Sequence, residues 1–118
     1  MPVTIDATVS GTTSNSYVLL AAADTYFGNR LYATDYTGAS NDDKSRALIM
    51  ATQRIDQEGF VGTRAVSTQV LKWPRYNVAI ANESYAYGWG YYAVDSIPQL
   101  VKDAQCEMAL LILGSDVF

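Results

Sequence analysis

Apolar residues recur at three- and four-residue spacing in three stretches of the chain, and each stretch predicts a helix with one inward face. Ala22, Tyr26, Phe27 and Leu31 mark the first, over roughly 21–31, with the short apolar run Tyr17-Val18-Leu19-Leu20 leading in as a strand or an extended approach. Leu48, Ala51, Thr52 and Ile55 form the stripe of the second. It starts with Ser40 or Asn41 as N-cap and places Asp42 and Asp43 in a first turn, where carboxylates suit the helix dipole. Val101, Ala104, Met108 and Leu111 or Ile112 mark the third, with Pro98 fitting the first helical position and Gly114 as the stop. Residues 33–39 connect the first two helices.

Two stretches follow other patterns. Residues 1–15 are rich in Thr, Ser, Val and Gly and read as an extended arm, with an edge strand over 3–9 and a loop over 10–15, of the kind that a neighbour orders. Residues 57–96 are too many for a structureless loop in a compact domain. Within them Tyr76-Asn77-Val78-Ala79-Ile80 alternates, Asn82-Glu83-Ser84 suits a turn, and Tyr85, Tyr87, Trp89 and Tyr91 occupy every second position. That pattern predicts a β-hairpin over 76–95 with one aromatic face. The expected fold is one mainly α domain over 1–118. It is a small three-helix or four-helix bundle with an N-terminal extended arm and a long loop or β-hairpin between the last two helices.

Before the hairpin comes Leu71-Lys72-Trp73-Pro74-Arg75. Pro74 fixes its own φ near −65° and pushes Trp73 towards an extended conformation, so the indole and the Arg75 guanidinium are expected to project from a stiff segment as a docking anchor. The other reading has Trp73 finishing the domain's own core while Arg75 caps a helix end or pairs with a carboxylate. Tyr85 to Tyr92 stays similarly open between an interface, the domain's own core and a stacking platform for unpaired bases. The candidate interface residues are Trp73, Pro74, Arg75, Tyr76, Tyr85, Tyr87, Trp89, Tyr91 and Tyr92.

Composition narrows the chemistry. Twelve acidic and 8 basic residues give a formal charge of −4, which argues against a surface built mainly to neutralise phosphates. Charged residues are only 17% of the chain, so more of the surface than usual is apolar or neutral, which favours an oligomer. There is no His, which removes the usual general base, the Ser-His and Cys-His pairs and the commonest metal ligand. Asp42 with Asp43, and Asp56 with Glu58, read as helix-end capping and solvation. The glycines at 59, 62, 88 and 90 lack the Lys and the spacing of a phosphate loop. Cys106 falls on an apolar helical pattern and reads as a small buried residue. No enzymatic activity, metal or cofactor is expected. The longest apolar runs, 17–23 and 108–113, are too short to span a membrane, and a soluble protein made in a cytoplasm is expected.

A resemblance adds to this. Tyr17-Val18, Ala23-Asp24 and Tyr26-Phe27 are followed by Ala47-Leu48-Ile49, Ala51-Thr52 and Ile55-Asp56, then by Phe60 and Gly62. Leu71 with Trp73-Pro74-Arg75 comes next, and Ile97-Pro98, Val101, Ala104, Glu107 and Ala109 line the last helix. In order and spacing this resembles the head-to-tail adaptor (connector) proteins of tailed bacteriophages, including the group labelled DnaT-like single-stranded-DNA-binding proteins. The resemblance implies a structural protein of the virion neck. It would form a homo-oligomeric ring, commonly a dodecamer, beneath the portal protein and dock the next tail or neck component. Genomic DNA would pass through the lumen without specific binding. The alternative is a single-stranded-DNA-binding accessory protein.

Overall fold

Three helices form near the predicted stretches and one more appears in a connector, but the first ends at Gly28, its buried residues are Ala23 and Phe27, and Ala22 and Leu31 are exposed. In the computed structural model, which describes residues 3–80 and 90–114, α1 spans Leu20–Gly28, α2 Thr34–Thr37, α3 Asn41–Ile55 and α4 Gln99–Gly114. Ser40 is the N-cap of α3 and its Oγ accepts from the Asp43 amide at 3.1 Å, which satisfies one of the orphan donors of the first turn. The remaining regular structure is a two-stranded antiparallel pair, β1 Thr63–Arg64 with β2 Arg75–Tyr76, in the register Thr63 to Tyr76 and Arg64 to Arg75. Among the described residues the protein is a mainly helical globule with four helices and this small two-stranded hairpin.

The first core lies where α3 and α4 pack along each other and α1 and α2 close over them. Val18, Ala23, Phe27, Tyr36, Ala47, Leu48, Ala51, Cys106 and Ala109 are all buried there. Small residues on α3 and α4 let the two backbones approach, and the Phe27 and Tyr36 rings stack at 4.0 Å between centroids. Tyr36 is completely buried, its hydroxyl donating to Asp24 at 3.1 Å. It belongs to α2, in the connector between α1 and α3.

The inward face of α4 differs from the predicted stripe. Met108 and Ile112 pack on the first core and Val101 on a second one, but Ala104 and Leu111 are exposed. The buried face is centred on Gln105, Cys106 and Ala109. Gln105 is fully buried because its amide completes the chain leading into α1: Oε1 accepts from the Tyr17 amide at 3.0 Å, and Nε2 donates to Ser16 Oγ at 2.7 Å and to the Leu48 carbonyl at 3.0 Å.

The N-terminal arm is ordered by its own chain. The Asp6 carboxylate accepts from the Thr8 amide and from the Thr8 and Thr13 hydroxyls, which holds it below the usual carboxylate range. The Val70 amide donates to the Gly11 carbonyl at 3.0 Å, which ties the loop of the arm to residues 69–73. A second, smaller core underlies that contact, with Tyr17, Trp73, Val78 and Ile97 buried and Ile55, Phe60, Leu71, Tyr92 and Val101 packed on it. No helix among the described residues is long and apolar enough to cross a membrane.

Candidate functional site

The segment from Gly59 to Arg75 folds back on itself, and the turn at its start depends on glycine. Gly62 has φ +75°, and a Cβ there would stand 2.0 Å from the Tyr76 carbonyl oxygen, so no other residue fits without shifting the β1 to β2 pair. Arg75 then fastens the two limbs together. Its guanidinium donates to the carbonyls of Val61 at 2.9 Å, Lys72 at 3.1 Å, Gly62 at 2.8 Å and Phe60 at 3.4 Å, and the residue is 8% exposed. Carbonyl dipoles solvate the cation without cancelling its charge.

Between the limbs lies an open cleft of about 440 Å³, lined by Gly59, Phe60, Gly62, Thr63, Arg64, Lys72 and Arg75. Phe60 meets the Trp73 indole edge-on at 5.3 Å between centroids and lies 5.9 Å from the Arg75 guanidinium carbon. Lys72 Nζ donates to the Glu58 carbonyl at 2.9 Å, and Arg64 donates to the Gln69 carbonyl at 3.2 Å. Gln69 itself is buried. It accepts from the Val66 amide and donates to the Leu71 and Pro74 carbonyls, so one amide side chain sets the shape of the whole loop.

Charge is distributed unevenly. Among the described residues, ion pairs engage Arg30 with Glu107, Lys44 with Asp24, Arg46 with Asp43 and Arg54 with Glu58. The other four cations are Arg64, Lys72, Arg75 and Lys102, and three of these line the one cleft. Behind it sits one carboxylate, Asp56, which accepts from the Tyr17 hydroxyl and from the Lys72 amide at 3.3 Å, while the Trp73 amide donates to the same Tyr17 oxygen at 3.2 Å. Burial raises the Asp56 carboxyl above its ordinary value, against the opposing pull of the Tyr17 hydrogen bond and of Lys72 and Arg64. Burial, reinforced by Asp56, likewise raises the Tyr17 hydroxyl.

A larger cleft of about 510 Å³ between α1 and α4 also holds cations, Arg30 and Lys102. It is electrostatically balanced. Arg30 is bound bidentately by Glu107, with Nε to Oε2 at 2.7 Å and Nη2 to Oε1 at 2.9 Å, and Asp103 stands in the same wall as Lys102. The Arg30 hydrogen bond holds Glu107 below its ordinary range, and the Tyr26 hydroxyl bound to that carboxylate is pushed up to about 12. No group of three or more His, Cys, Asp and Glu that could hold a metal ion occurs among the described residues.

The residues singled out in the sequence separate into three sets. Trp73 is buried in the chain's own second core, Pro74 is fully buried, and Arg75 is buried and lines the cleft, so the Trp-Pro-Arg step does not project. Tyr76 and Tyr91 are exposed, and Tyr92 packs edge-on against Trp73 at 6.0 Å between centroids. Tyr91 bridges Ala79, and the flanking bonds Ile80 amide to Gly90 carbonyl and Tyr92 amide to Val78 carbonyl pair the two segments antiparallel. Tyr85, Tyr87 and Trp89 lie outside the described residues. Arg64 and Lys72 were missed. Their signal was present all the same: residues 59–82 carry Arg64, Lys72 and Arg75 and no Asp or Glu, in a chain that is acidic as a whole.

The fold and the cleft define a small helical domain in which, among the described residues, three cations and an aromatic ring line one cleft. A model of the family described as "Putative DnaT-like ssDNA binding protein" matches residues 1–118, and the chain belongs to that family. Neither a curated protein nor a solved structure matches it. The family corrects the first reading of the sequence, that of a tailed-phage head-to-tail adaptor. The ring beneath a portal, the place in the virion neck and the docking of a tail component lose the resemblance on which they rested. The residues that suggested an adaptor explain the error. Val18, Ala23, Phe27, Ala47, Leu48, Ala51 and Ala109 all fill the core, and such positions record how helices pack rather than what a surface binds.

Proposed function

We propose that this protein is a non-catalytic binder of single-stranded DNA and that the cleft of Phe60, Arg64, Lys72 and Arg75 is its contact site. Membership of the DnaT-like family across the whole chain supports the ligand class. The observation that carries the site is the convergence on one cleft with an aromatic wall of three cations that, among the described residues, stand outside ion pairs. Cations beside an aromatic ring are the combination that single strands require, since phosphates take the charge and an unpaired base takes the ring face. The net charge of −4 had argued against nucleic acid, but a net charge averages over a surface and a ligand meets only part of it.

Fluorescence anisotropy with a labelled oligothymidylate, set against a duplex of equal length, tests this reading. The single strand should bind in the micromolar range at low salt and more tightly than the duplex, whose bases are not free to stack. Substituting Arg64→Gln, an exposed residue outside the core, should weaken binding by about tenfold through loss of one charge-assisted contact. Absence of binding to the single strand would overturn the proposal. Binding by the Arg64→Gln and Lys72→Gln variants as tight as that of the wild type would move the site elsewhere.

A further inference from the structure

We propose, resting on the single-strand reading above, that the cleft recognises a terminal phosphomonoester of the strand in preference to its internal phosphodiesters. The first reason is shape. Arg64, Lys72 and Arg75 share one pocket of about 440 Å³, and no track of cations leads out of it among the described residues. Arg54, Arg46, Lys44 and Arg30 are each paired with a carboxylate, and Lys102 stands beside Asp103 in the cleft between α1 and α4. A protein that follows a strand from nucleotide to nucleotide spreads its cations along a groove. Here they are gathered at a point.

The second reason is charge. Among the described residues, three cations against the Asp56 carboxylate leave the cleft with a surplus of two positive charges. An internal phosphodiester carries one negative charge, whereas a phosphomonoester carries about 1.5 to 2 at pH 7 and offers three strong acceptor oxygens. The dianion is the group that this surplus balances.

The third reason is the rest of the surface. Outside Arg64, Lys72 and Arg75 the chain has 5 basic and 11 acidic residues once Asp56 is set aside. An internal segment leaves the cleft in two directions and brings phosphates on both sides of it near a remainder of the chain that is net negative, while a strand end leaves in one. Repulsion between like charges therefore favours the end over the middle. Phe60 lines the same cleft.

The experiment compares oligothymidylates of one length and one internal label. They carry a 5′-phosphate, a 3′-phosphate or hydroxyls at both ends, and a covalently closed circle serves as the endless control. One of the two phosphorylated strands should bind about tenfold more tightly than the hydroxyl-ended strand, in keeping with one added charge-assisted contact, and the circle should bind no better than the latter. Arg64→Gln and Lys72→Gln should each erase the preference for the phosphorylated end. Equal affinity for all four ligands overturns the end preference and leaves single-strand binding intact. Absence of binding by all four overturns both. Competition by inorganic phosphate or a mononucleotide as effective as that of the phosphorylated strand overturns the proposal in favour of a free phosphomonoester as ligand.

Discussion

The helical half and the looped half of this protein hold together by different means. Around α3 and α4 the core is made of small and aromatic apolar residues at helical spacing, with Tyr36 and Leu48 fully buried at its centre. From Gly59 to Arg75 regular structure amounts to the two residues of β1 and the first of β2, and buried polar side chains do the organising. Gln69 joins Val66, Leu71 and Pro74, Arg75 joins the turn at 60–62 to Lys72, and Tyr17 with Asp56 anchors the amides of Lys72 and Trp73. The difference teaches that the helices supply a support, while the polar network gives a short loop the fixed shape that a binding site needs.

The comparison breaks most visibly in the helical half. Substituting Tyr36→Ala should lower the unfolding free energy by about 3–5 kcal/mol, as removal of a large buried aromatic does, and a urea melt followed by far-UV circular dichroism measures it. In the looped half, Gln69→Leu fills the same space but leaves the Val66 amide and the Leu71 and Pro74 carbonyls without their partner. A loss of about 2–3 kcal/mol is expected, with little change in helix content and nearly complete loss of DNA binding. Equal effects of the two variants on binding per unit of lost stability would remove the distinction between support and site.

Much of the support was legible in the sequence, and much of the site was not. The N-cap at Ser40, the stripe Leu48, Ala51, Thr52 and Ile55 and the first turn after Pro98 follow from periodicity and capping chemistry, which are local. Gln105 and Gln69 escaped because a polar residue reads as outward-facing, and only the tertiary fold shows that each completes backbone hydrogen bonds in the interior. Trp73 and Arg75 were noticed for the right reason, a stiff step, yet the stiffness serves burial. Arg64 and Lys72 are hidden in a net charge of −4, which does not show that residues 59–82 carry three cations and no Asp or Glu.

Smaller effects sharpen the picture. Asp56→Asn keeps an acceptor for the Tyr17 hydroxyl and the Lys72 amide but removes the negative charge behind the cleft, so affinity for a single strand should rise by about threefold at low salt. Because the folded state raises the Asp56 pKa, the native form holds its proton longer than the unfolded chain. Asp56 therefore subtracts stability as pH rises from its unfolded value of 3.8 through the higher folded one, and Asp56→Asn should flatten that part of the stability profile. Glu107 has the opposite sign. Arg30 lowers its pKa in the folded state, so its contribution is present above the unfolded value of 4.5 and is lost as pH falls through the lower folded one. The pair is partly exposed, so Glu107→Gln should cost less than about 1 kcal/mol at pH 7.

The measurement that bears most directly on the cleft is the salt dependence of single-strand binding by the wild-type protein and by the Arg64→Gln/Lys72→Gln double variant. Three cations at the cleft predict a slope of log K against log salt of about −2 for the wild type, falling to about −0.7 in the variant as two of them are removed. The same slope and affinity in both proteins, with both still folded, would contradict the account and place the DNA contact on another surface.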